Sequence, residues 1–301
     1  MSTVQIRFLR PELEELHAGV CEAHAMEGAQ VALGAFAYER EYAASGNDMF
    51  AGEPLHLEVL LPYLARHAPP PATVLDVGAG TGRLSIPLAK AGYEVTMLEP
   101  AAAGLRLAQQ KARAAGVAER MHYVCGYGAD LAVFDEGCFD IVVAMQSLIY
   151  DDLPATLALL RRVARGVVSF DAYSRYGFLV GRMPRGHAYK AGYTPTTILY
   201  TLDEHRTPGE QTPETPETLP LYTSDEIAQL AREAGLLVDE VRPVLSEGVF
   251  EWDEGDPAAA AELERRMAED KVLRELGGCH LVLGRRPAPS PGGSVPGGAH
   301  E

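Results

Sequence analysis

The string Val74-Leu75-Asp76-Val77-Gly78-Ala79-Gly80-Thr81-Gly82 constrains this chain more than any other part of it. A short apolar run with strand character enters three closely spaced glycines, and a helical stretch from Arg83 to Lys90 follows. Only glycine takes a positive φ cheaply and lets a ligand lie against the main chain with no Cβ in the way. A second strand ends in Glu99, 23 residues after Asp76. A carboxylate there can accept hydrogen bonds from both hydroxyls of a ribose, as in doubly wound nucleotide-binding sheets. The pattern therefore predicts an adenosine-containing ligand.

Around this segment, strands and helices alternate. Thr73–Val77, Glu94–Leu98, Met121–Cys125, Phe139–Ala144 and Val167–Phe170 read as strands, with helices at Arg83–Lys90, Ala101–Ala115 and Pro154–Ala164. Short apolar strands alternating with helices predict an α/β fold with a parallel sheet covered on both faces. Residues 1–68 read as an N-terminal helical cap, with one helix from Glu12 to about Leu33 and another over Leu55–Tyr63. The core is expected over residues 69–286, interrupted at 172–222 by an insertion after the fifth strand that holds a β-like segment, Thr196–Leu202, and a Pro/Thr/Glu-rich run. Thr223-Ser224-Asp225-Glu226 is a capping-box arrangement that opens a helix ending near Gly235. Strand Val238–Val244, helix Pro257–Leu276 and strand Cys279–Leu283 follow, and the Pro/Gly/Ser-rich residues 287–301 read as a disordered tail.

The glycine spacing selects among adenosine ligands. A dinucleotide fingerprint, G-x-G-x-x-G, would require a glycine where Arg83 stands, so NAD fits poorly. The sequence DVGAGTG instead resembles motif I of class I S-adenosylmethionine-dependent methyltransferases of the small-molecule type, and Glu99 falls where that family keeps its ribose acid. The resemblance implies a seven-stranded Rossmann-like sheet with helices on both faces. It also implies that Asp76 orients the amino group of S-adenosylmethionine, directly or through water, that Gly78 and Gly80 line its methionine part and Glu99 holds its ribose, and that Ala79, Arg83 and Pro100 are further cofactor contacts. Family members usually follow the third strand with a Gly-Asp-Ala type string whose acid reads adenine. Here the string is Gly126-Tyr127-Gly128-Ala129-Asp130, which makes Asp130 the candidate reader and Tyr127, beside Gly128, a candidate for stacking. Phe139–Ala144 matches the family's fourth strand, after which Met145, Gln146 and Ser147 would face the cofactor.

Composition narrows the acceptor. With 26 basic and 42 acidic residues the formal net charge is -16, a field that repels phosphate backbones. Nucleic acid is not expected as a partner, and Ala144-Met145-Gln146-Ser147 also lacks the Asn/Asp-Pro-Pro-aromatic string of nucleic-acid amino methyltransferases. No apolar run approaches a membrane span and no leader pattern opens the chain, so a cytoplasmic protein is expected. The four cysteines form no CxxC pair and read as reduced. His17, Cys21 and His24 share a helix face, but no fourth ligand accompanies them, and no metal is expected.

A methyl transfer needs a nucleophile aligned with the S–CH3 bond and, for a hydroxyl acceptor, a general base. Asp151, Asp171 and His187 are the candidate bases. Tyr38, Tyr42, Tyr150 and Tyr173 are the candidate substrate contacts, because an N-terminal helix and an insertion after the fifth strand close over substrate in small-molecule members of the family. Asp152 reads equally well as the N-cap of the following helix. The expected activity is methyl transfer to an oxygen or nitrogen of a small metabolite, in biosynthesis of the secondary kind. One alternative keeps the fold: a protein that binds S-adenosylmethionine or S-adenosylhomocysteine but catalyses cyclisation, or serves as a scaffold for a partner. A homodimer or a partner protein is compatible with either.

Overall fold

A computed structural model describes residues 5–18, 38–40, 42–44, 57–148, 152–177, 203–204, 220–244 and 257–288. Its centre is an eight-stranded sheet in the order β1-β4-β3-β2-β5-β6-β8-β7. The strands are β1 (Arg7–Phe8), β2 (Thr73–Val77), β3 (Glu94–Glu99), β4 (Met121–Cys125), β5 (Phe139–Ala144), β6 (Ala164–Tyr173), β7 (Leu237–Val244) and β8 (Cys279–Arg285). Strands β1 to β6 run parallel, and β8 lies antiparallel between β6 and β7. The expected seven strands thus become eight. The extra one, β1, comes from the segment read as a helical cap, where two residues pair with the edge strand β4.

Seven helices are named here: α1 (Pro11–His17), α2 (Leu57–His67), α3 (Ser85–Lys90), α4 (Ala102–Ala114), α5 (Leu153–Val163), α6 (Ser224–Glu233) and α7 (Pro257–Glu269). Residues 38–40 and 42–44 are also helical. One face of the sheet packs Val74, Val95 and Met97 against Leu60 and Leu64 of α2, Leu88 of α3 and Leu105 of α4. The other packs Leu75, Val77 and Leu98 against Leu157 and Leu160 of α5 and Ile227 and Ala231 of α6. Neighbouring strand residues therefore go to opposite layers and both are buried, which is why β2 and β5 read as unbroken apolar runs rather than as alternating ones.

Local chemistry sets the helix ends. Asp152 caps α5 by accepting the Ala155 N–H at 3.3 Å. In α6, Thr223 Oγ1 accepts the Glu226 N–H at 3.2 Å while Glu226 accepts the Thr223 N–H at 2.8 Å, so the expected capping box is formed. Helix α3 opens at Ser85 rather than Arg83, with Leu84 already holding helical backbone angles, φ −87° and ψ −45°. Among the described residues no helix is long and apolar enough to cross a membrane. Thr196–Leu202 and residues 289–301 of the tail lie outside the described residues.

Chain order runs outward from β2 through β3 to β4 and then returns through β5 to β6 on the other side. The reversal leaves a crevice outside the carboxyl ends of β2 and β5, which is where open α/β sheets bind ligands.

Candidate active site

The Gly78–Gly82 turn stands at that crevice, and the N–H groups of its three glycines and of Ala79 are spent within the chain. The N–H groups of Gly78 and Ala79 both donate to the Leu98 carbonyl, at 2.8 and 3.2 Å. The Gly80 N–H donates to Glu99 Oε2 at 2.9 Å. Gly78 and Gly80 hold φ of 69° and 52°. A Cβ on Gly78 would lie 2.2 Å from the Cβ of Ser147, and one on Gly80 would lie 3.3 Å from the Tyr42 hydroxyl. Glycine is required at Gly78 twice over, by backbone conformation and by the approach of the loop that follows β5.

Two carboxylates meet the turn from below. Glu99, at the end of β3, is buried and also accepts the Ala101 N–H at 3.0 Å through Oε1. Burial pushes it up to about 7, against the pull of those two backbone donors and with Asp76 and Glu39 adding repulsion. Asp76 is 2% exposed and accepts the Ser85 hydroxyl at 2.5 Å. Burial raises it to about 6, partly offset by Ser85 and by the charge of Arg83. A buried acid pair of this kind suits a ligand that brings hydroxyl donors and positive charge.

The opposite bank is the loop after β5. Gln146 is the non-glycine residue with positive φ among those described, at 55°. Its N–H donates to Asp171 Oδ1 at 2.7 Å, and its Oε1 accepts Arg83 Nη2 at 2.6 Å. Asp171, read as a candidate base, is buried on β6 and holds this backbone. Met145 and Tyr173 are partly buried and each packs against the core.

At the far end, Asp130 is already engaged. Its oxygens accept Arg10 Nε at 2.8 and 2.9 Å, and Oδ2 accepts the Tyr127 N–H at 2.9 Å. The Arg10 guanidinium lies over the Tyr127 ring, 5.2 Å from its centroid. Tyr127 is 7% exposed and sits in the core cluster with Cys125, where the Arg10 guanidinium covers it. Gly128 opens the 3₁₀ turn Gly128–Val133 that carries Asp130. Pro100 turns the chain between β3 and α4, its carbonyl 3.3 Å from the Cys125 sulfur.

The N-terminal segment reaches the same place. Tyr42 is 4% exposed and lies over Gly80 and Gly104, with Tyr38 stacked on it at a 6.1 Å centroid separation. Glu39, which sequence reading did not single out, is buried and accepts the Ala103 N–H at 2.8 Å through Oε2, while Oε1 pairs with His17 Nδ1. Helix α4 has no side-chain cap of its own, so Glu99 and Glu39 satisfy its first donors. No short-range pattern could have revealed Glu39 or Arg10, since each meets its partner from a distant part of the sequence.

Asp151, Tyr150 and His187 lie outside the described residues, as do Cys21 and His24. His17 is paired with Glu39, and among the described residues no group of three His, Cys, Asp or Glu side chains could hold a metal ion.

Residues 74–167, from β2 into β6, match the methyltransferase domain family. The chain is 31% identical to the tRNA 5-carboxymethoxyuridine methyltransferase of Escherichia coli over 127 residues, which are 41% of this chain and 49% of that one. It is 36% identical to the ubiquinone biosynthesis O-methyltransferase of Xanthomonas campestris over 115 residues, 37% of this chain and 46% of that one. The chain thus spans about half the length of the curated relatives it matches. A solved complex between the Haloferax volcanii Trm112 methyltransferase activator and a methyltransferase shares the fold, with a TM-score of 0.52 at 19% identity over 83% of this chain and 98% of that one. The sheet is that of a doubly wound, Rossmann-like fold, and the segment that carries the glycine turn and Glu99 is similar to methyltransferase domains.

Proposed function

We propose that this protein transfers the methyl group of S-adenosylmethionine to an oxygen or nitrogen of a small metabolite. The observation that carries the reading is how the glycine turn spends its N–H groups. A dinucleotide site leaves such donors, and the helix N-terminus behind them, to receive a pyrophosphate. Here the donors of Gly78, Ala79 and Gly80 are taken by Leu98 and Glu99, and the Glu99 carboxylate brings negative charge to the place a phosphate would need. A ligand with no phosphate, carrying ribose hydroxyls and a cationic amino-acid arm, suits that surface.

The residues present fit such a cofactor. Each Glu99 oxygen accepts one backbone N–H and keeps a second lone pair for a ribose hydroxyl. Asp76 would face the ammonium group, Gly78, Ala79 and Gly80 the aliphatic arm, and Pro100, Tyr127 and Gly128 the base. S-adenosylmethionine supplies an already activated methyl group. The chain's own contribution is to orient it and exclude water, and Tyr42, closed over Gly80, serves the second purpose. Tyr38 and Tyr173 are proposed to border the acceptor.

A small acceptor is favoured over nucleic acid by the net charge of -16, and a match to a ubiquinone biosynthesis O-methyltransferase supports an acceptor of that size. Isothermal titration with S-adenosylmethionine, S-adenosylhomocysteine and NAD tests the cofactor. The first two should bind and raise the melting temperature while NAD does neither. Formation of S-adenosylhomocysteine with a panel of phenols, alcohols and amines then tests transfer, and stabilisation by NAD alone would overturn the reading.

A further inference from the structure

We propose that a cavity beside α6 binds a small organic amine with a neutral oxygen acceptor next to its ammonium group, the chemistry of an amino alcohol or an amino amide. The site lies apart from the glycine-turn crevice, and the inference does not depend on the methyl-transfer reading.

The cavity encloses about 350 Å³. Glu226, Gln229, Leu230 and Glu233 fall at i, i+3, i+4 and i+7, so one flank of α6 forms one wall. Arg175, just after β6, forms another with Glu204 and residues 220–222. None of these residues builds the glycine turn, its two acids or the loop after β5.

Three features set the chemistry of an occupant. Glu204, Glu226 and Glu233 place three carboxylates against the one guanidinium of Arg175, so the lining is net negative. Against the pull of burial, the Thr223 N–H and Arg175 hold the Glu226 carboxyl below its usual range, which keeps it charged. The acids are spread around the cavity: among the described residues no three His, Cys, Asp or Glu side chains could hold a metal ion. They suit an organic ammonium group better than a divalent metal.

Second, Arg175 is 6% exposed and has donor capacity that the chain leaves unused. Its Nη2 donates to Glu226 Oε2 at 2.6 Å and to the Leu221 carbonyl at 3.2 Å, while its Nε has no hydrogen-bond partner among the described residues. A buried donor without an acceptor costs free energy that an oxygen of the occupant can restore. That oxygen is neutral, because Glu226 already lies against the same guanidinium and would repel a second carboxylate. Third, Leu221 and Leu230 give the cavity apolar surface for a hydrocarbon substituent.

Four probes built on one branched hydrocarbon chain separate these contributions. L-leucinol and L-leucinamide carry an ammonium group and a neutral oxygen; isopentylamine lacks the oxygen, and L-leucine ends in a carboxylate. Protein-observed NMR titrations of the full chain at fixed salt read both affinity and location. Leucinol and leucinamide should bind and shift the amides of Tyr222, Gln229 and Leu230. Isopentylamine should bind about fivefold more weakly, the size of one lost neutral hydrogen bond, and leucine about tenfold more weakly through repulsion by Glu226. Glu204→Gln and Glu233→Gln, both at exposed positions, should each weaken leucinol about threefold and leave S-adenosylhomocysteine affinity unchanged.

Equal affinity for all four probes would overturn the inference, as would leucinol affinity unaltered in both variants. Shifts confined to Gly78, Gly80 and the loop after β5 would put the amine at the crevice and overturn it too. A ligand of leucinol's size in a matched site should bind by roughly 20 mM, so no response to leucinol or leucinamide at that concentration would also overturn it.

Discussion

The Gly80 N–H donates to Oε2 of Glu99 at 2.9 Å, so the glycine turn and the acid of the neighbouring strand are one unit rather than two motifs. Replacing Glu99 by Gln keeps the size of the side chain and removes its charge. Whichever oxygen becomes the amide NH2 can no longer accept, so the N–H of Gly80 or of Ala101 loses its partner together with the ribose hydroxyl that would donate at the same position. The expected cost in S-adenosylhomocysteine affinity is about 10- to 100-fold, corresponding to ~1.5–3 kcal/mol for a hydrogen bond to a charged group. Titration calorimetry reads it directly, and unchanged affinity would remove Glu99 from the site.

Ionisation of the two buried acids gives a second expectation. Glu99 at about 7 and Asp76 at about 6 both lie above their ordinary values because burial disfavours the charged form. The folded state therefore holds protons that the unfolded chain has released. Their contribution to stability is fully present below the ordinary carboxylate range and is lost as pH rises through 6 to 7. Urea unfolding of the ligand-free protein should show that decline. Ligand binding should run the other way. Hydroxyl donors at Glu99 and an ammonium at Asp76 both favour the ionised acids, so affinity should rise from pH 5.5 to 8 with net proton release. Calorimetry in buffers of different ionisation enthalpy measures the released protons, and proton uptake would contradict the argument.

Gly78 separates backbone conformation from packing. Gly78→Ala meets a left-handed φ, costing ~1–2 kcal/mol, and a clash with Ser147, adding ~1–3 kcal/mol of overpacking. Ser147→Gly removes the second term alone. The double variant should therefore be more stable to urea than Gly78→Ala by about 1–3 kcal/mol, while still falling short of wild type. Additive losses would mean that the loop after β5 does not press on the turn.

The frame of the molecule was legible in the sequence where apolar runs were bounded by breakers. Strands β2, β4 and β5 fall on the expected residues, because each is a five- or six-residue run flanked by turns. Strand β6 was read three residues too short at both ends. Arg165 and Gly166 look like a break, yet pairing with β5 on one side and β8 on the other carries the strand through them. Two-residue β1 offered no periodicity and exists because β4 left an edge to pair. At the candidate site, the closeness of the acids at 76 and 99 to the glycine turn is legible from their spacing. The surroundings of Asp130 and Asp171 are not. Both are expected from sequence to face ligand or acceptor, and the structure gives each a partner that sequence does not show: Arg10, 120 residues away, for Asp130, and the Gln146 N–H for Asp171. Those assignments depend on which distant segment arrives, and neither residue's neighbours in sequence record it. For Asp130 the consequence is measurable: Asp130→Asn should lower stability to urea, by ~1–3 kcal/mol for a lost charge-assisted bond, more than it weakens S-adenosylhomocysteine binding.

Glu39 ties the N-terminal segment to the site, and its loss should be felt at two levels. Its Oε2 accepts the Ala103 N–H in the first turn of α4, a helix without a side-chain cap of its own. Removing such an acceptor costs ~0.5–2 kcal/mol, the range for helix caps, and Glu39→Ala should lose that much in urea unfolding. The same change releases His17 and loosens the helical residues that hold Tyr42 over Gly80. Cofactor dissociation should therefore speed up several-fold in Glu39→Ala. Glu39→Gln can still accept from Ala103 and should keep most of the stability. If the two variants behaved alike in stability, the helix-capping role would be wrong; if dissociation were unchanged in both, Tyr42 would be packing on the turn without sealing it.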